Sequence, residues 1–268
     1  MNNWNTEKIL AVLASLDQAP LTDGLIEFAT ADYRIIRYPQ HLLSPTLPAA
    51  QVIWSSTTRS LEVVHDEIVS VVREWGLGEL HWWVTGTTQP LDTEPYLLAR
   101  GGVLSGSSQI LARELNATNT VDLEPNDIDV ELVCDERTLR GAEEVETRGW
   151  GRSSLDDDAM GCRLADVLAN LKMATQFQFV AFVDGLPAST GCCRIQGEVA
   201  RLYGAVTLPE FRLRGCYHAV LSTRLRQAQD LGATLALTRG RPLTSGPLLV
   251  KAGFTVHDEE HCYRLAVV

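Results

Sequence analysis

A strand, a loop and a helix in series over residues 199–231 constrain the fold most. Val199–Thr207 is rich in β-forming residues, and apolar residues recur at spacings of three and four from His218 to Leu231. Gly232 follows and can adopt the left-handed conformation that ends many helices. A basic loop, Arg212-Leu213-Arg214-Gly215-Cys216-Tyr217, joins the strand to the helix. This series predicts an α/β fold.

The loop has the composition of a phosphate-binding site. The first N–H groups of a helix have no partner within it and lie at the positive end of the helix dipole. Gly215 allows the backbone to approach an anion closely, and Arg212 and Arg214 can each bind phosphate oxygens through two hydrogen bonds. Arg-x-x-Gly alone also occurs at many exposed helix starts. The Arg-x-x-Gly pattern therefore indicates phosphate binding only together with the strand and helix around it.

The remaining elements of the C-terminal half alternate between strands and helices. Before the loop we expect strands at Asp127–Val133, Phe177–Asp184 and Ala188–Gln196, and helices at Glu136–Gly151 and Ser154–Lys172. After the loop helix we expect a strand at Ala233–Thr238, a helix at Ser245–Ala252, and strands at Phe254–His257 and Cys262–Val268.

The first half contains a partial copy of the end of this pattern. Pro90–Gly102 aligns without a gap on Pro242–Phe254, and both prolines, two leucines and the glycine coincide. Each copy follows an apolar strand (Leu80–Thr85 in the first), and that strand follows an amphipathic helix that ends in glycine. Two unrelated units with similar helix ends remain the alternative. We predict two similar domains, at residues 1–120 and 127–268.

Polar residues at Asn116–Asn126 mark the predicted junction between these domains. The first domain lacks the basic glycine loop. Residues 55–60 follow its candidate strand Gln51–Trp54, and they contain no glycine and a single arginine.

The loop and its surroundings resemble the GNAT superfamily of N-acyltransferases. Arg212-x-x-Gly215-x-Tyr217 is similar to the family's (R/Q)-x-x-G-x-(G/A) loop, with Tyr217 in place of the small last residue. Pro209-Glu210-Phe211-Arg212 resembles the family's approach to the loop, and Ala252-Gly253-Phe254 resembles the end of its short helix. The resemblance covers residues 127–268. It implies a GNAT acyl-CoA N-acyltransferase fold, an α/β fold with a mixed sheet. The internal repeat then makes the first domain a degenerate copy in tandem, and without the loop it is not expected to bind CoA in the same way.

The resemblance also implies an activity. It is the transfer of an acetyl group from acetyl-CoA to a primary amine of a small molecule, directly within a ternary complex. The alternative is a non-catalytic CoA-binding, acyl-CoA-binding or regulatory protein on the same fold. Main-chain groups of Val206 and Leu208 would pair with the pantetheine arm of CoA. The full set of cofactor-binding residues that the resemblance implies is Val206, Leu208, Arg212, Arg214, Gly215, Cys216, Tyr217, His218 and Ser245.

The sequence assigns no catalytic residue. Leu249 stands where many relatives have a tyrosine, and Val199-Ala200-Arg201-Leu202 occupies the region where some have a glutamate base. Tyr203 is a candidate proton donor, with packing in the sheet as the alternative. Glu146 and Asp156-Asp157-Asp158 are candidates to hold a cationic acceptor, with solvated helix surfaces as the alternative.

Other motifs lack the context that their chemistry needs. His257-Asp258-Glu259-Glu260-His261 has two histidines four apart, but the zinc motif needs a glutamate directly after the first histidine on a helix. We expect a polar turn between two strands there, and no metal site. Cys216 is interpreted as a small residue in a tight loop, and Cys192 and Cys193 as buried residues on opposite faces of a strand.

Charge and composition narrow the partners. The net charge of −11 disfavours attraction to nucleic acid and anionic lipid, and no apolar stretch approaches the length of a membrane span. The N-terminal residues lack a secretion signal, and the six cysteines include no C-x-x-C pair. We therefore expect a cytoplasmic protein that binds neither nucleic acid nor membrane. We expect it to be a monomer with two paired domains or a homodimer.

Overall fold

The computed structural model describes residues 4–18, 25–44, 47–116 and 128–267. The elements of the first half are α1 (Thr6–Gln18), β1 (Ile26–Ala29), β2 (Tyr33–Arg37), β3 (Ala50–Ser55), α2 (Leu61–Glu74), β4 (Glu79–Val84), α3 (Thr93–Ala99) and β5 (Val103–Glu114). Those of the second half are β6 (Asp129–Leu132), α4 (Glu136–Trp150), α5 (Asp157–Lys172), β7 (Gln176–Val183), β8 (Leu186–Gln196), β9 (Val199–Thr207), α6 (Cys216–Asp230), β10 (Leu235–Gly240), α7 (Ser245–Lys251) and β11 (Thr255–Ala266). Among the described helices, none has the length and apolar character needed to cross a membrane.

The chain forms two compact units. The C-terminal unit comprises residues 112–239 and 251–255, and the N-terminal unit comprises residues 3–111, 240–250 and 256–268. Two segments from the end of the chain thus belong with the first half. Apart from Asn116, the predicted junction Asn116–Asn126 lies outside the described residues, and so does Asp127 at the start of the second predicted domain. The boundaries 1–120 and 127–268 stay a prediction.

The C-terminal unit is built on five strands in the order β6-β7-β8-β9-β10. The first four pair antiparallel, and β9 and β10 pair in parallel. Asp184-Gly185 and Gln196-Gly197 turn the chain between β7 and β8 and between β8 and β9. Both glycines have positive φ, which explains why turn residues predicted these hairpins.

Alternate residues of β7 build two apolar layers, one on each face of this sheet. Val180 packs with Leu139 of α4 and Met160 of α5. Phe179 packs with Val220 of α6 on the other face. The helices before the sheet hairpins therefore cover one face, and the helix after the basic loop covers the opposite face.

The N-terminal unit has the strand order β1-β2-β3-β4-β11-β5. β1 pairs with β2, β2 with β3, and β4 with β11, all antiparallel. β3 and β4 pair in parallel, as β9 and β10 do in the other unit. The core of this unit contains Val64 and Ile68 of α2 and Trp82 of β4, together with Tyr263 and Leu265 of β11.

The repeat seen in the sequence has the same structure in both copies. Helices α3 and α7 cover the same positions of the gapless alignment. Gly101 and Gly253 coincide in that alignment, and both have a φ of 83°. Leu97 and Leu249 coincide as well, and both are buried. Leu249 thus fills a core position, so its apolar character has a packing role.

The predicted closing hairpin is wrong, because residues 255–266 form one continuous strand. The run of charges from Asp258 to Glu260 interrupts the apolar pattern, which made it look like a turn. In the structure the polar groups have partners along the strand: Gly86 N donates to Asp258 Oδ2 at 2.9 Å, and His257 Nδ1 lies 3.0 Å from Thr6 Oγ1. Among the described residues, no three His, Cys, Asp or Glu side chains are placed to hold a metal ion.

Candidate functional site

The two parallel strands of the C-terminal unit separate partway along their length. Their register runs from Val199 opposite Leu235 to Leu202 opposite Thr238, and β9 continues beyond it to Thr207. At the end of the paired region, Thr238 Oγ1 donates to the carbonyl of Leu202 at 2.9 Å. The strands thus leave a gap beside residues 203–207.

A glycine in β9 marks the point of separation. Gly204 has a φ of 61°, and the register of β9 with β8 shifts between Tyr203 and Val206, opposite Gly191. Such a bulge bends the strand that carries it. Residues with side chains rarely adopt this φ, so the glycine is needed for the bend.

Hydrogen bonding determines which main-chain groups of β9 face the gap. Leu208 N donates to Ala188 O at 2.9 Å, so this amide is directed toward β8. Alternate residues direct their main-chain groups to opposite edges of a strand. The groups of Thr207 and Ala205 therefore face the gap. The family resemblance implied that main-chain groups of Val206 and Leu208 pair with a ligand. The amide of Leu208 donates to β8 instead, and the same alternation turns Val206 toward β8.

The loop after β9 is anchored by one apolar side chain and by backbone turns. Phe211 is buried against Val145, Leu208 and Cys216. Leu213 has a φ of 62° and a fully exposed side chain, and Gly215 has a φ of 89°. Successive residues of alternating backbone hand turn their N–H groups toward a common point, which forms a concave anion site.

The start of α6 carries no side chain that satisfies its free N–H groups. Gly215 is the N-cap residue, and the first turn contains no acidic residue. Cys216 is buried, and burial raises the pKa of its thiol, as expected of a packing residue. Tyr217 and His218 are half-buried with their rings edge to face at 5.8 Å, and burial raises the pKa of Tyr217.

The two loop arginines differ in their surroundings. Arg212 is exposed. Arg214 lies over the ring of Phe211, with Cζ 5.6 Å from the ring centroid, and its Nη2 is 3.7 Å from Asp184 Oδ2. Both side chains of the Arg214–Asp184 pair are largely exposed, so an incoming anion meets little competition from Asp184.

Ser245, also predicted to bind the cofactor, lies in the N-terminal unit as the first residue of α7. Its hydroxyl accepts a hydrogen bond from Arg241 N at 2.8 Å. Its role in binding stays a prediction.

Solved structures with a similar fold include three that are GNAT proteins by name. A GCN5-related N-acetyltransferase from Kribbella flavida matches with a TM-score of 0.65 and 14% identity over 97% of this chain and 94% of that one. One from Sphaerobacter thermophilus matches with a TM-score of 0.66 and 12% identity over 96% and 85%. A tandem GNAT protein from the clavulanic acid biosynthesis pathway matches with 0.59 and 14% over 96% and 87%. The chain has the GNAT fold.

This GNAT likeness comes from structure alone. No family model matches the sequence, and no curated protein does. The predicted GNAT fold, including the likeness to a tandem member, is confirmed.

The candidate acidic residues have structural partners. Glu146 is 5% exposed, and Arg152 and Arg163 both donate to its carboxylate, the latter at 2.9 Å. The same two arginines donate to Glu143, with a distance of 2.6 Å from Arg152 Nη2. The interpretation of Glu146 as part of a solvated helix surface is therefore wrong. The alternative that it holds a cationic acceptor stays a prediction. We call Glu143, Glu146, Arg152 and Arg163 the buried ion cluster.

The buried ion cluster reaches the sheet through Gln178 of β7. Gln178 Nε2 donates to Glu146 Oε1 at 2.7 Å and to Thr190 Oγ1 at 3.2 Å. Cys192 also faces this cluster, and burial together with Glu146 raises the pKa of its thiol to about 12. Cys193 lies on the opposite face beside Arg224, as the alternation predicted. Of the acidic triplet, Asp156 caps α5 by accepting from Ala159 N at 2.8 Å, and Asp157 pairs with Arg140.

Arg224 is a buried residue that sequence reasoning missed. It lies on α6 and donates from Nη1 to Cys192 O at 3.3 Å. A Cβ on Gly191 would lie 2.9 Å from its Cζ, so a side chain at this position would have to displace the guanidinium group. The pattern of α6 gave no signal, because an arginine between apolar positions normally marks an exposed face.

The N-terminal unit has a parallel strand pair with the same geometry, but its gap is closed. Gln51 of β3 pairs with His81 of β4. Beyond this pair, Gln89 N donates to Ser55 O at 3.4 Å, and Thr57 N donates to Gln89 O at 3.1 Å. The segment after β4 thus hydrogen-bonds the main chain that follows β3.

The closed positions correspond to the open ones of the C-terminal unit. His81 follows Gly76, the glycine after α2, by the same number of residues as Leu237 follows Gly232, the glycine after α6. The parallel partner of His81 is Gln51, and that of Leu237 is Arg201. Counting along the strands, Ser55 and Thr57 then correspond to Ala205 and Thr207.

The single arginine of the first unit's loop is also engaged. Arg59 Nη1 lies 3.0 Å from Asp32 Oδ2, and Arg59 Nη2 pairs with Glu67. Two carboxylates thus neutralise the cation at the start of α2, where the other unit presents Arg212 and Arg214.

Proposed function

We propose that this protein is an N-acetyltransferase that transfers an acetyl group from acetyl-CoA to a primary amine of a small molecule. The observation that carries the proposal is the combination in one unit of an open strand gap and a basic loop before an uncapped helix. A pyrophosphate needs the loop, and an extended amide-containing arm needs the exposed strand edge.

The two parts of the site suit two parts of CoA. The N–H groups around Gly215 and the guanidinium groups of Arg212 and Arg214 would hold the pyrophosphate. The main-chain groups of Ala205 and Thr207 would pair with the amides of the pantetheine arm, one residue before each position expected from the sequence. Cys216, Tyr217 and His218 would line the start of the helix beneath the phosphates.

The proposed reaction is direct transfer in a ternary complex. The neutral amine attacks the thioester carbonyl, a C–N bond forms, and the C–S bond breaks. The proton lost by the nitrogen is balanced by the proton taken up by the CoA thiolate. A main-chain N–H at the gap would stabilise the negative charge that develops on the carbonyl oxygen.

We assign no general base. Glu143 and Glu146 are held in the buried ion cluster, and residues 199–202, the region where some relatives have a glutamate, contain none. Tyr203 remains a candidate proton donor, because it lies at the bulge on the same face as Cys192. The proposal includes the cytoplasm as the place of action and excludes nucleic acid and membrane as partners. It retains two domains, 1–120 and 127–268, in a monomer or homodimer.

Titration calorimetry with CoA and acetyl-CoA tests the cofactor, and thiol release over a panel of primary amines tests the activity. We expect Gly215→Glu to raise the Kd for CoA by roughly 100-fold, because a carboxylate would repel the pyrophosphate and because the φ of this residue disfavours a side chain. Arg214→Ala should raise the Kd roughly tenfold. Arg226→Ala, an exposed arginine farther along α6, is the control and should bind normally.

The outcomes separate the two functions. CoA release that depends on an amine supports the acetyltransferase. Tight binding without turnover on any amine supports the non-catalytic CoA-binding alternative. Normal binding of CoA by the Gly215→Glu variant contradicts both.

A further inference from the structure

Trp150 stands at the bulge of β9, on the face of the sheet opposite α6. A Cβ on Gly204 would lie 3.8 Å from Trp150 Cη2 and 3.7 Å from Cys192 Sγ. Trp150 is the last residue of α4, and its side chain is half-buried. One edge of the indole therefore reaches the strand gap while part of the ring stays accessible.

The backbone on both sides of Trp150 is held firmly. Gly149 packs so closely on β9 that a Cβ would lie 2.5 Å from Val206 Cγ2. After Trp150, Gly151 ends the helix with a φ of 69°, and the next residue, Arg152, enters the buried ion cluster. The position of the indole is thus fixed before any ligand arrives, which lowers the entropic cost of binding to it.

The ring and the Nε1 group of Trp150 are available to contact a ligand. Among the described residues, Trp150 makes no hydrogen bond through Nε1 and no stacking contact with another ring. A half-exposed indole beside a reacting centre can stack on an aromatic ring and exclude water from it.

We propose that Trp150 determines acceptor specificity, and that the acceptor is a primary amine carried on a short alkyl chain that ends in an aromatic ring. The inference rests on the proposed function. The thioester lies at the gap, the phosphate loop leads to α6 on one face, and the acceptor approaches from the face of α4. The indole then packs against the acceptor's ring while its nitrogen reaches the thioester carbonyl.

The probes are two conjugates in which the CoA sulfur is joined through an acetamide linker to an amine. One carries 2-phenylethylamine and the other carries ethylamine. Their binding can be measured without any catalytic turnover. We expect calorimetry to show that the phenylethyl conjugate binds the unmodified protein roughly tenfold more tightly than the ethyl conjugate, about 1.4 kcal/mol. Trp150→Ala should reduce this ratio to within about twofold and leave the Kd for CoA unchanged.

Two variants make the result interpretable. Trp150→Phe should keep most of the preference, because it retains a ring at the gap. Trp150→Leu keeps an apolar side chain without a ring and should lose the preference, and it replaces the alanine variant if that variant fails to fold. Met173→Ala removes an exposed apolar side chain after α5 and should keep the whole preference. An equal affinity for the two conjugates, or a preference that survives Trp150→Ala, overturns the proposal for Trp150. Failure of CoA and both conjugates to bind overturns the proposed function itself.

Discussion

Gly149 and Val206 approach each other so closely that no side chain fits between them, since a Cβ on Gly149 would lie 2.5 Å from Val206 Cγ2. This contact lets α4 lie directly on β9, beside the part of the strand that faces the gap. A glycine near the end of a helix lowers helix propensity, so its presence has a packing reason.

Gly149→Ala should therefore destabilise the protein by about 1–3 kcal/mol, because the added methyl group forces α4 away from β9. The free energy of unfolding from urea titration measures this loss. Gly149→Ala combined with Val206→Ala should recover part of it. Gly161→Ala in α5 is the matched control, because a Cβ there meets nothing within 4 Å, and it should be neutral or stabilising. Equal effects at Gly149 and Gly161 would refute the packing argument.

The buried ion cluster should contribute to stability through its pairing. Replacing Glu146 by leucine leaves Arg152 and Arg163 with fewer partners in a buried environment, and breaking such a pair costs about 3–5 kcal/mol. Thermal and urea unfolding measure the change. Arg140→Ala removes two exposed ion pairs, with Glu136 and with Asp157, and is expected to change stability little. A Glu146→Leu variant as stable as the unmodified protein would show that the cluster is dispensable.

The N-terminal unit should bind no CoA, because Gln89 closes its strand gap and Arg59 is paired with Asp32 and Glu67. Calorimetry should give one CoA per chain. Arg59→Ala should leave the Kd for CoA unchanged, whereas Arg214→Ala raises it. A stoichiometry of two, or binding that survives Gly215→Glu with half the sites, would show that the closed gap opens.

Local patterns were sufficient to predict most of the fold. Strand β9 and helix α4 begin where the periodicity placed them, because their core residues recur with the period of the element. The gapless repeat predicted that α3 and α7 correspond. The pairing of strands that are distant in the sequence could not be predicted from local patterns. Nothing local indicates that β11 pairs with β4, and the charges within β11 look like a turn until Gly86 is seen to bond Asp258.

The site was predicted only as far as its chemistry is local. The loop from Arg212 to Tyr217 is a continuous segment, so its composition carried the prediction. The direction of the main-chain groups of β9 depends on its register with β8, which the sequence does not give. The positions expected to pair with a ligand, Val206 and Leu208, therefore lie one residue after the positions whose main-chain groups face the gap. Trp150 and Gly204 meet only through the tertiary fold. Arg224 was missed because its partners are carbonyls of another element.

CoA binding should depend on pH through His218. Burial, and then the charge of Lys251, lower the pKa of His218 below its ordinary value in the free protein. A pyrophosphate at the start of α6 would favour the protonated ring, so the pKa in the complex is higher than in the free protein. The complex then takes up a proton that the free protein has not bound. The Kd for CoA should therefore fall as the pH is lowered from about 7 toward the depressed pKa of free His218.

Calorimetry in two buffers of different ionisation enthalpy measures this proton uptake directly. CoA carries its own titrating phosphate, so the comparison is with His218→Asn, which keeps a polar side chain without a charge. The variant should show a smaller proton uptake and a flatter dependence of Kd on pH. An identical pH dependence in the two proteins would mean that His218 does not respond to the bound phosphates.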